Sequence, residues 1–258
     1  MEFIDLHNHL TWDVDDGIPT KEDTITVLNQ ARREGIKTIV ATPHFVPGNQ
    51  TKEDIEQINH RINELVELAQ TYNVTILKGC ELFMNHNFLD MVDAGMINSI
   101  QNTNYILVEF DVRKQLGTKL HVEDYLYELA IRDYRVIIAH VERYFPQKLD
   151  LERLKELHQE GYIFQINKSS LLGLHGKTIQ KNAFKIIDHG LAHIVASDCH
   201  RVKGRDISFR KVYDLLVHKY DERIAYQLCY KNPLHVIRNE NVENIQNRKK
   251  LLGLFKRR

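Results

Sequence analysis

His7 and His9 stand two residues apart at the end of the run Phe3-Ile4-Asp5-Leu6. On a β-strand, residues i and i+2 point to the same face. The two imidazoles can therefore aim at one point, which is what a metal ion requires. Asp198-Cys199-His200 repeats the arrangement near the far end of the chain, after the apolar run Ile194-Val195-Ala196-Ser197. A lone His-x-His is also found as a pair of surface histidines at a strand terminus, so the weight rests on what else accompanies it.

Other short apolar runs end in the same kind of residue. Pro43-His44, Gly79-Cys80-Glu81, Glu109 with Asp111, His140 followed by Glu142-Arg143, and Gln165 with Asn167 each follow such a run, and Asp13, Asp15 and Asp16 precede Gly17. One charged residue at a strand end usually just begins a solvated loop. Six ends carrying His, Asp or Glu point to an assembled site. Five histidines and four carboxylates exceed the roughly four to six protein ligands of one divalent ion, so two or three ions with a bridging carboxylate are expected. Imidazole mixed with carboxylate, without thiolate, suits Mn, Fe or Zn. Clustered divalent ions acidify water and clamp the attacking and leaving oxygens of a displacement. Phosphate esters are the natural substrate class, and Arg143 and Arg205 could grip phosphate oxygens bidentately, although either alone is an ordinary surface partner.

Elements of alternating type must position these groups. The pattern predicts strands at Phe3–His7, Thr38–Thr42, Val74–Gly79, Tyr105–Phe110, Arg135–His140, Tyr162–Ile166 and His193–Ser197. Between them it predicts helices at Lys21–Glu34, Lys52–Tyr72, from Phe88, Val122–Arg132, Leu149–Gln159 and Thr178–His189. Helices at Phe209–Lys219 and Asp221–Tyr230 and a short one after Pro233 follow the last strand. Gly35, Gly161 and Gly190 close helical patterns just before apolar runs, as left-handed caps do. Such βα units imply a parallel sheet, here a closed or nearly closed barrel whose reactive groups sit at the C-terminal strand ends.

The bulk numbers exclude several classes. The 258 residues suit one α/β barrel or two small domains. Lys+Arg and Asp+Glu balance at 35 each, which disfavours nucleic acid as partner. Cys80, Cys199 and Cys229 form no disulfide framework and fit a reducing cytoplasm. The N-terminus lacks a basic region and a long apolar stretch, so no signal peptide is expected, and no apolar run is long enough for a membrane span. The segment 246–258 mixes basic and apolar residues. It reads either as a solvated end or as a weak contact with an anionic membrane or a partner.

The quoted residues, together with Asp15-Asp16-Gly17, Val108-Glu109-Phe110 and Ala196-Ser197-Asp198, resemble the PHP (polymerase and histidinol phosphatase) superfamily. More narrowly, the chain resembles the manganese-dependent protein-tyrosine phosphatases of Gram-positive capsule and exopolysaccharide gene clusters, over nearly its whole length. The resemblance implies a distorted seven-stranded (β/α) TIM-like barrel, a PHP domain spanning 1–245. It implies a three-Mn2+ site in which His7, His9, Glu81 and Asp198 surround one ion. Glu81 bridges to a second ion held also by Glu109 and His140, and Asp16, His44 and His200 hold the third. By the same resemblance Arg143 and Arg205 bind phosphate, and the substrate is phosphotyrosine on the tail of a membrane-associated tyrosine kinase. Rival readings are a histidinol-phosphate type phosphomonoesterase, a catalytically silent metal-binding regulator, and a nuclease-like phosphodiesterase, the last disfavoured by the neutral charge.

Cys199 and Arg205 also match Cys-x5-Arg, the minimal pattern of cysteine-dependent tyrosine phosphatases. Strand parity argues against that mechanism, since a residue between Asp198 and His200 faces away from the site. Of the remaining polar residues, Asp5 reads equally as an orienting partner for a histidine or as interior polarity. Asp13 and Asp15 read as turn residues and Glu142 as a solvated neighbour of Arg143. Gln165 and Asn167 read either as substrate contacts or as filling of the barrel mouth. Trp12 and Phe45 read as core before pocket wall.

Overall fold

The computed structural model describes residues 1–113, 116 and 122–246. Nine strands appear among them: β1 (Phe3–Asp5), β2 (Ile36–Ala41), β3 (His44–Phe45), β4 (Thr75–Lys78), β5 (Glu81–Phe83), β6 (Tyr105–Glu109), β7 (Arg135–Ile138), β8 (Ile163–Asn167) and β9 (Ile194–Ala196). Every pairing is parallel, in a three-stranded sheet β1-β2-β4 and a six-stranded sheet β3-β5-β6-β7-β8-β9. Each of the seven expected runs overlaps a strand. The count departs from seven because β3 and β5 lie beyond the expected runs Thr38–Thr42 and Val74–Gly79, after breaks at Thr42-Pro43 and at Gly79-Cys80. Pro43 has no N–H to give to a ladder.

The interruptions do not change the register. Ala41 faces Lys78 before the breaks and His44 faces Glu81 after them. Gly79 N–H donates to Ala41 O and Glu81 N–H to Pro43 O, each at 3.0 Å, across the gap. At the other side, Asp198 N–H donates to His7 O at 2.9 Å and His9 N–H to Cys199 O at 3.0 Å. The parallel sheet is thus curled until the segments following β1 and β9 meet.

Local chemistry sets the helices. α1 (Lys21–Glu34) starts where the Thr20 side chain accepts from Asp23 N–H and stops at Gly35, whose φ of 89° is left-handed. α2 (Lys52–Gln70) opens on a Thr51/Asp54 capping box and buries Ile55, Ile58, Ile62, Leu65 and Ala69, one stripe at helical spacing. α3 (Phe88–Asp93), α4 (Val122–Ala130) and α5 (Leu151–Gln159) lie between later strands. The four-residue α6 (Lys168–Leu171), which the sequence pattern does not signal, directly follows β8, and α7 (Lys177–Asp188) follows it. α8 (Arg210–Lys219), α9 (Glu222–Tyr226) and α10 (Asn232–Ile237) come after β9. The expected helix Asp221–Tyr230 divides into α9 and a wider turn at Gln227–Lys231.

Two apolar clusters hold these layers. The larger includes the helix stripes and outward strand residues such as Ile106, Val108 and Val195. The smaller joins Ile4, Val40, Leu107, Ile137, Ile163 and Ile194 from the strands, so it fills the inside of the curl. Burial of both faces explains why the strands read as continuous apolar runs. No helix of the described residues is long and apolar enough to cross a membrane. Residues 247–258, nearly all of the basic tail, lie outside the described residues.

Candidate metal centre

The inner apolar rows end at the C-terminal rim of the sheet, and there the side chains turn polar. His44 opens β3, Glu81 opens β5, Glu109 closes β6, and Asp198 and His200 follow β9. Two of the groups at this rim sit on left-handed backbone, His140 at φ 33° and Asp198 at φ 51°. A non-glycine residue stays in that region only where surrounding structure over-determines it.

All nine expected ligands come together. His7 Nε2 and His9 Nε2 are 3.1 Å apart, and Glu81 Oε2 lies 3.1 Å from each. Asp198 Oδ1 is 3.5 Å from His7 Nε2 and 3.7 Å from His9 Nε2. On its other oxygen, Glu81 Oε1 is 3.1 Å from His140 Nε2, which is 3.4 Å from Glu109 Oε2. At the lip, Asp16 Oδ1 is 3.3 Å from His44 Nε2 and 3.4 Å from His200 Nε2. His44 reaches two neighbourhoods, because its Nδ1 also lies 3.3 Å from both Glu81 Oε2 and Glu109 Oε1.

The spacings fit divalent ions. Donors about 2.1 Å from one ion are about 3.0–3.4 Å from each other at right or tetrahedral angles. Three groups of donor atoms are compact enough to hold one: His9/Asp16/His44/His200, His7/His9/Asp198 and His44/Glu81/Glu109. His44 Nδ1 and His140 Nδ1 are buried without a hydrogen-bond partner. So much imidazole and carboxylate, mutually oriented yet incompletely hydrogen-bonded, is costly unless a cation or protons intervene.

The electrostatics agree. Burial alone would push the His7 imidazolium down, but the Glu81 and Asp198 carboxylates pull it up to about 9. His44 is raised to about 10 against the same desolvation, chiefly by Glu81. Burial opposes ionisation of Glu81 and Asp198, yet neighbouring histidines hold both well below the usual carboxylate range. A divalent cation held among these donors would answer the same demand for positive charge.

Around the centre lies a cavity of about 180 Å³, lined by the outer ligands, by Arg143 and Arg205, and by Val112. Arg205 Nη2 donates to Asp198 Oδ2 at 2.7 Å while its Nε is buried without a partner. Arg143 Nη1 stands 3.8 Å from the same oxygen. The loop that carries Arg205 is anchored beside it, where buried Lys168 donates to Asp206 at 2.8 Å.

Several polar residues differ from the sequence reading. Asp15 does more than shape the turn: its Oδ2 meets His9 Nδ1 at 2.8 Å and accepts from His44 N–H at 3.0 Å, while Oδ1 accepts from Gly17 N–H. Glu142 is fully buried rather than solvated, with burial raising its carboxyl and Asn167 N–H donating to it at 3.1 Å. It lies beside Arg143 in a tight 3-10 turn, Val141–Tyr144. Asp5 accepts from Ser197 N–H and Asn8 Nδ2, each at 2.8 Å, so it ties β1 to the end of β9 instead of touching His7. Trp12 and Phe45 are core. Cys199 is buried, its thiol pushed up by desolvation and its Sγ directed at Arg201 O.

Residues 3–238 match the family described as capsular polysaccharide synthesis, CpsB/CapC. The chain is 33% identical over 242 residues to CapC of Staphylococcus aureus, covering 93% of this chain and 92% of that protein. It is 29% identical over 248 residues to the tyrosine-protein phosphatase CpsB of Streptococcus pneumoniae, covering 92% and 99%. A solved structure described with YwqE of Bacillus subtilis and CpsB of Streptococcus pneumoniae, as unique metal-dependent tyrosine phosphatases, superposes with a TM-score of 0.80 at 28% identity. That match covers 95% of this chain and 98% of the other.

Proposed function

The chain belongs to the CpsB/CapC capsular polysaccharide synthesis family, and on that premise we propose that it is a metal-dependent protein-tyrosine phosphatase, a phosphoric monoester hydrolase. The observation that carries this reading is the buried Glu81 carboxylate, which has one oxygen among His7, His9 and His44 and the other at His140. A carboxylate so placed suits a bridge between ions.

In this reading His7, His9, Glu81 and Asp198 hold one Mn2+, Glu81, Glu109 and His140 a second, and Asp16, His44 and His200 a third. Fe or Zn suits the same donors. The ions would supply an acidified water and charge neutralisation on phosphorus. Arg143 and Arg205 border the cavity and donate to the phosphate oxygens, which carry the charge of the transition state. No side-chain nucleophile is needed, and buried Cys199 offers none. The substrate is phosphotyrosine on the tail of a membrane-associated tyrosine kinase, met in the cytoplasm. The unchanged register across both strand interruptions supports reading β2 with β3 and β4 with β5 as single strands. That makes a seven-stranded barrel of one domain, residues 1–245.

The test is turnover of a phosphotyrosyl peptide, an aryl phosphate and histidinol phosphate, with and without chelator, with metal content measured on the same sample. The expected result is chelator-sensitive hydrolysis of the first two. Preference for histidinol phosphate would replace the substrate assignment. No turnover of any phosphomonoester by manganese-loaded protein would leave a silent regulator.

A further inference from the structure

Gln165, on the inner face of β8, is fully buried just behind the proposed metal centre. Its side-chain oxygen lies 2.9 Å from the backbone nitrogen of His140. A backbone N–H can only donate, so the atom facing it must be the carbonyl Oε1. The same oxygen lies 3.0 Å from His7 Nδ1, which must therefore carry the proton. The lone pair of neutral His7 is left on Nε2, the nitrogen that faces His9, Glu81 and Asp198. The other end of the amide then donates, through Nε2, to Asn167 Oδ1 at 2.8 Å. Asn167 Nδ2 in turn donates to Asp198 Oδ2. With Oδ2 occupied there and by Arg205, Asp198 presents Oδ1 to the histidines.

From this directional chain we infer that Gln165, acting with Asn167, is a positioning residue of the proposed metal centre. It sets the His7 tautomer, steadies the strained backbone at His140 and orients Asp198. Three of the proposed ligands, from three different strand ends, are thereby held by one amide pair. Gln165 takes no part in substrate contact, because its oxygen already accepts two hydrogen bonds and the side chain is out of solvent's reach. The inference rests on the metal-dependent reading above.

The experiment is titration of chelator-stripped protein with Mn2+, followed by the paramagnetic resonance signal of the free ion, on the parent, Gln165→Met, Gln165→Glu and Asn167→Ala. Thermal unfolding of each stripped protein is recorded alongside. Removing such an outer partner typically weakens metal affinity 10–100-fold, and Gln165→Met should fall in that range. Gln165→Glu keeps the acceptor for His7 and the His140 N–H and should recover part of the loss. Asn167→Ala should weaken binding several-fold, and it carries the test if Gln165→Met does not fold. At saturating Mn2+, Gln165→Met should lose kcat on an aryl phosphate with little change in KM. Parental Mn2+ affinity in the folded variants, with only the unfolding temperature lowered, would mean a merely structural amide and would overturn the inference. Failure of the parent itself to bind Mn2+ would instead remove the metal-dependent reading, so the two failures are distinct.

Discussion

Cys199 and its neighbours show how side chains a residue apart acquire opposite fates. Asp198 and His200 meet at the cavity, while Cys199 between them is buried with its thiol held protonated by desolvation. A thiol kept from ionising is neither a nucleophile nor a good ligand. Cys199→Ser is therefore expected to retain phosphatase activity within about threefold, while a chelator abolishes it. Loss of activity in a folded, metal-loaded Ser variant would reinstate the cysteine mechanism. The residue types of the centre were legible in the sequence because metal chemistry restricts them to imidazole and carboxylate. The resemblance also singled out Asp16, which reaches His44 and His200, from Asp13 and Asp15. The role of Asp15 was not legible: it reads as a turn residue, yet it turns inward to His9, while Asp13 adopts a positive φ in the turn.

At the scale of elements, the turn between β1 and α1 carries this discrimination, and Gly17 makes it feasible. A Cβ at Gly17 would come within 2.5 Å of both His9 Cβ and His9 O and within 2.7 Å of Asp15 Oδ1. The two His9 atoms are backbone or fixed to it, and Asp15 Oδ1 is held by the Gly17 N–H. Gly17→Ala must shift the turn that presents Asp16 and orients His9, so it should lower Mn2+ occupancy and turnover together by at least tenfold. Metal analysis and kinetics on one sample check this, and parental occupancy would refute the packing argument. The helices were legible from their amphipathic pattern and glycine stops, as Gly35 illustrates, while the Thr20 cap and the Thr51/Asp54 box emerge in the structure. The short strands β3 and β5 and the four-residue α6 were not legible, because segments of two to four residues are too short to carry a periodic pattern.

Considered as a whole molecule, the sheet has two dissimilar ends. The proposed metal centre occupies the C-terminal rim. At the N-terminal end a cleft of about 370 Å³ is bordered by Tyr105, Arg135, His158 and His193, and its polar groups are largely paired with each other and with Asn244. His193 accepts from Phe164 N–H through Nδ1 and stacks on His158 at 5.2 Å. Burial, and secondarily the charge of His158, pushes its imidazolium down to about 4 from 6.5. Between these values the unfolded chain binds more protons than the folded one, so stability must rise with pH across that window. The parent should lose up to about 1.4 kcal/mol per pH unit relative to His193→Gln as pH falls from 6.5 to 4, read by urea unfolding of the two proteins. A pH-independent difference would show that His193 does not titrate in that window. The amino-acid sequence by itself determined the alternation of strands and helices, the glycine stops of several helices and the chemical types at the strand ends. Each follows from periodicity or side-chain chemistry contained within a few residues. Only the tertiary structure decided which groups support which. Gln165 meets His7 across 158 positions of chain, and Asp5 meets Ser197 across 192. Those pairings follow from sheet register and the curl of the sheet, which no local stretch of sequence encodes.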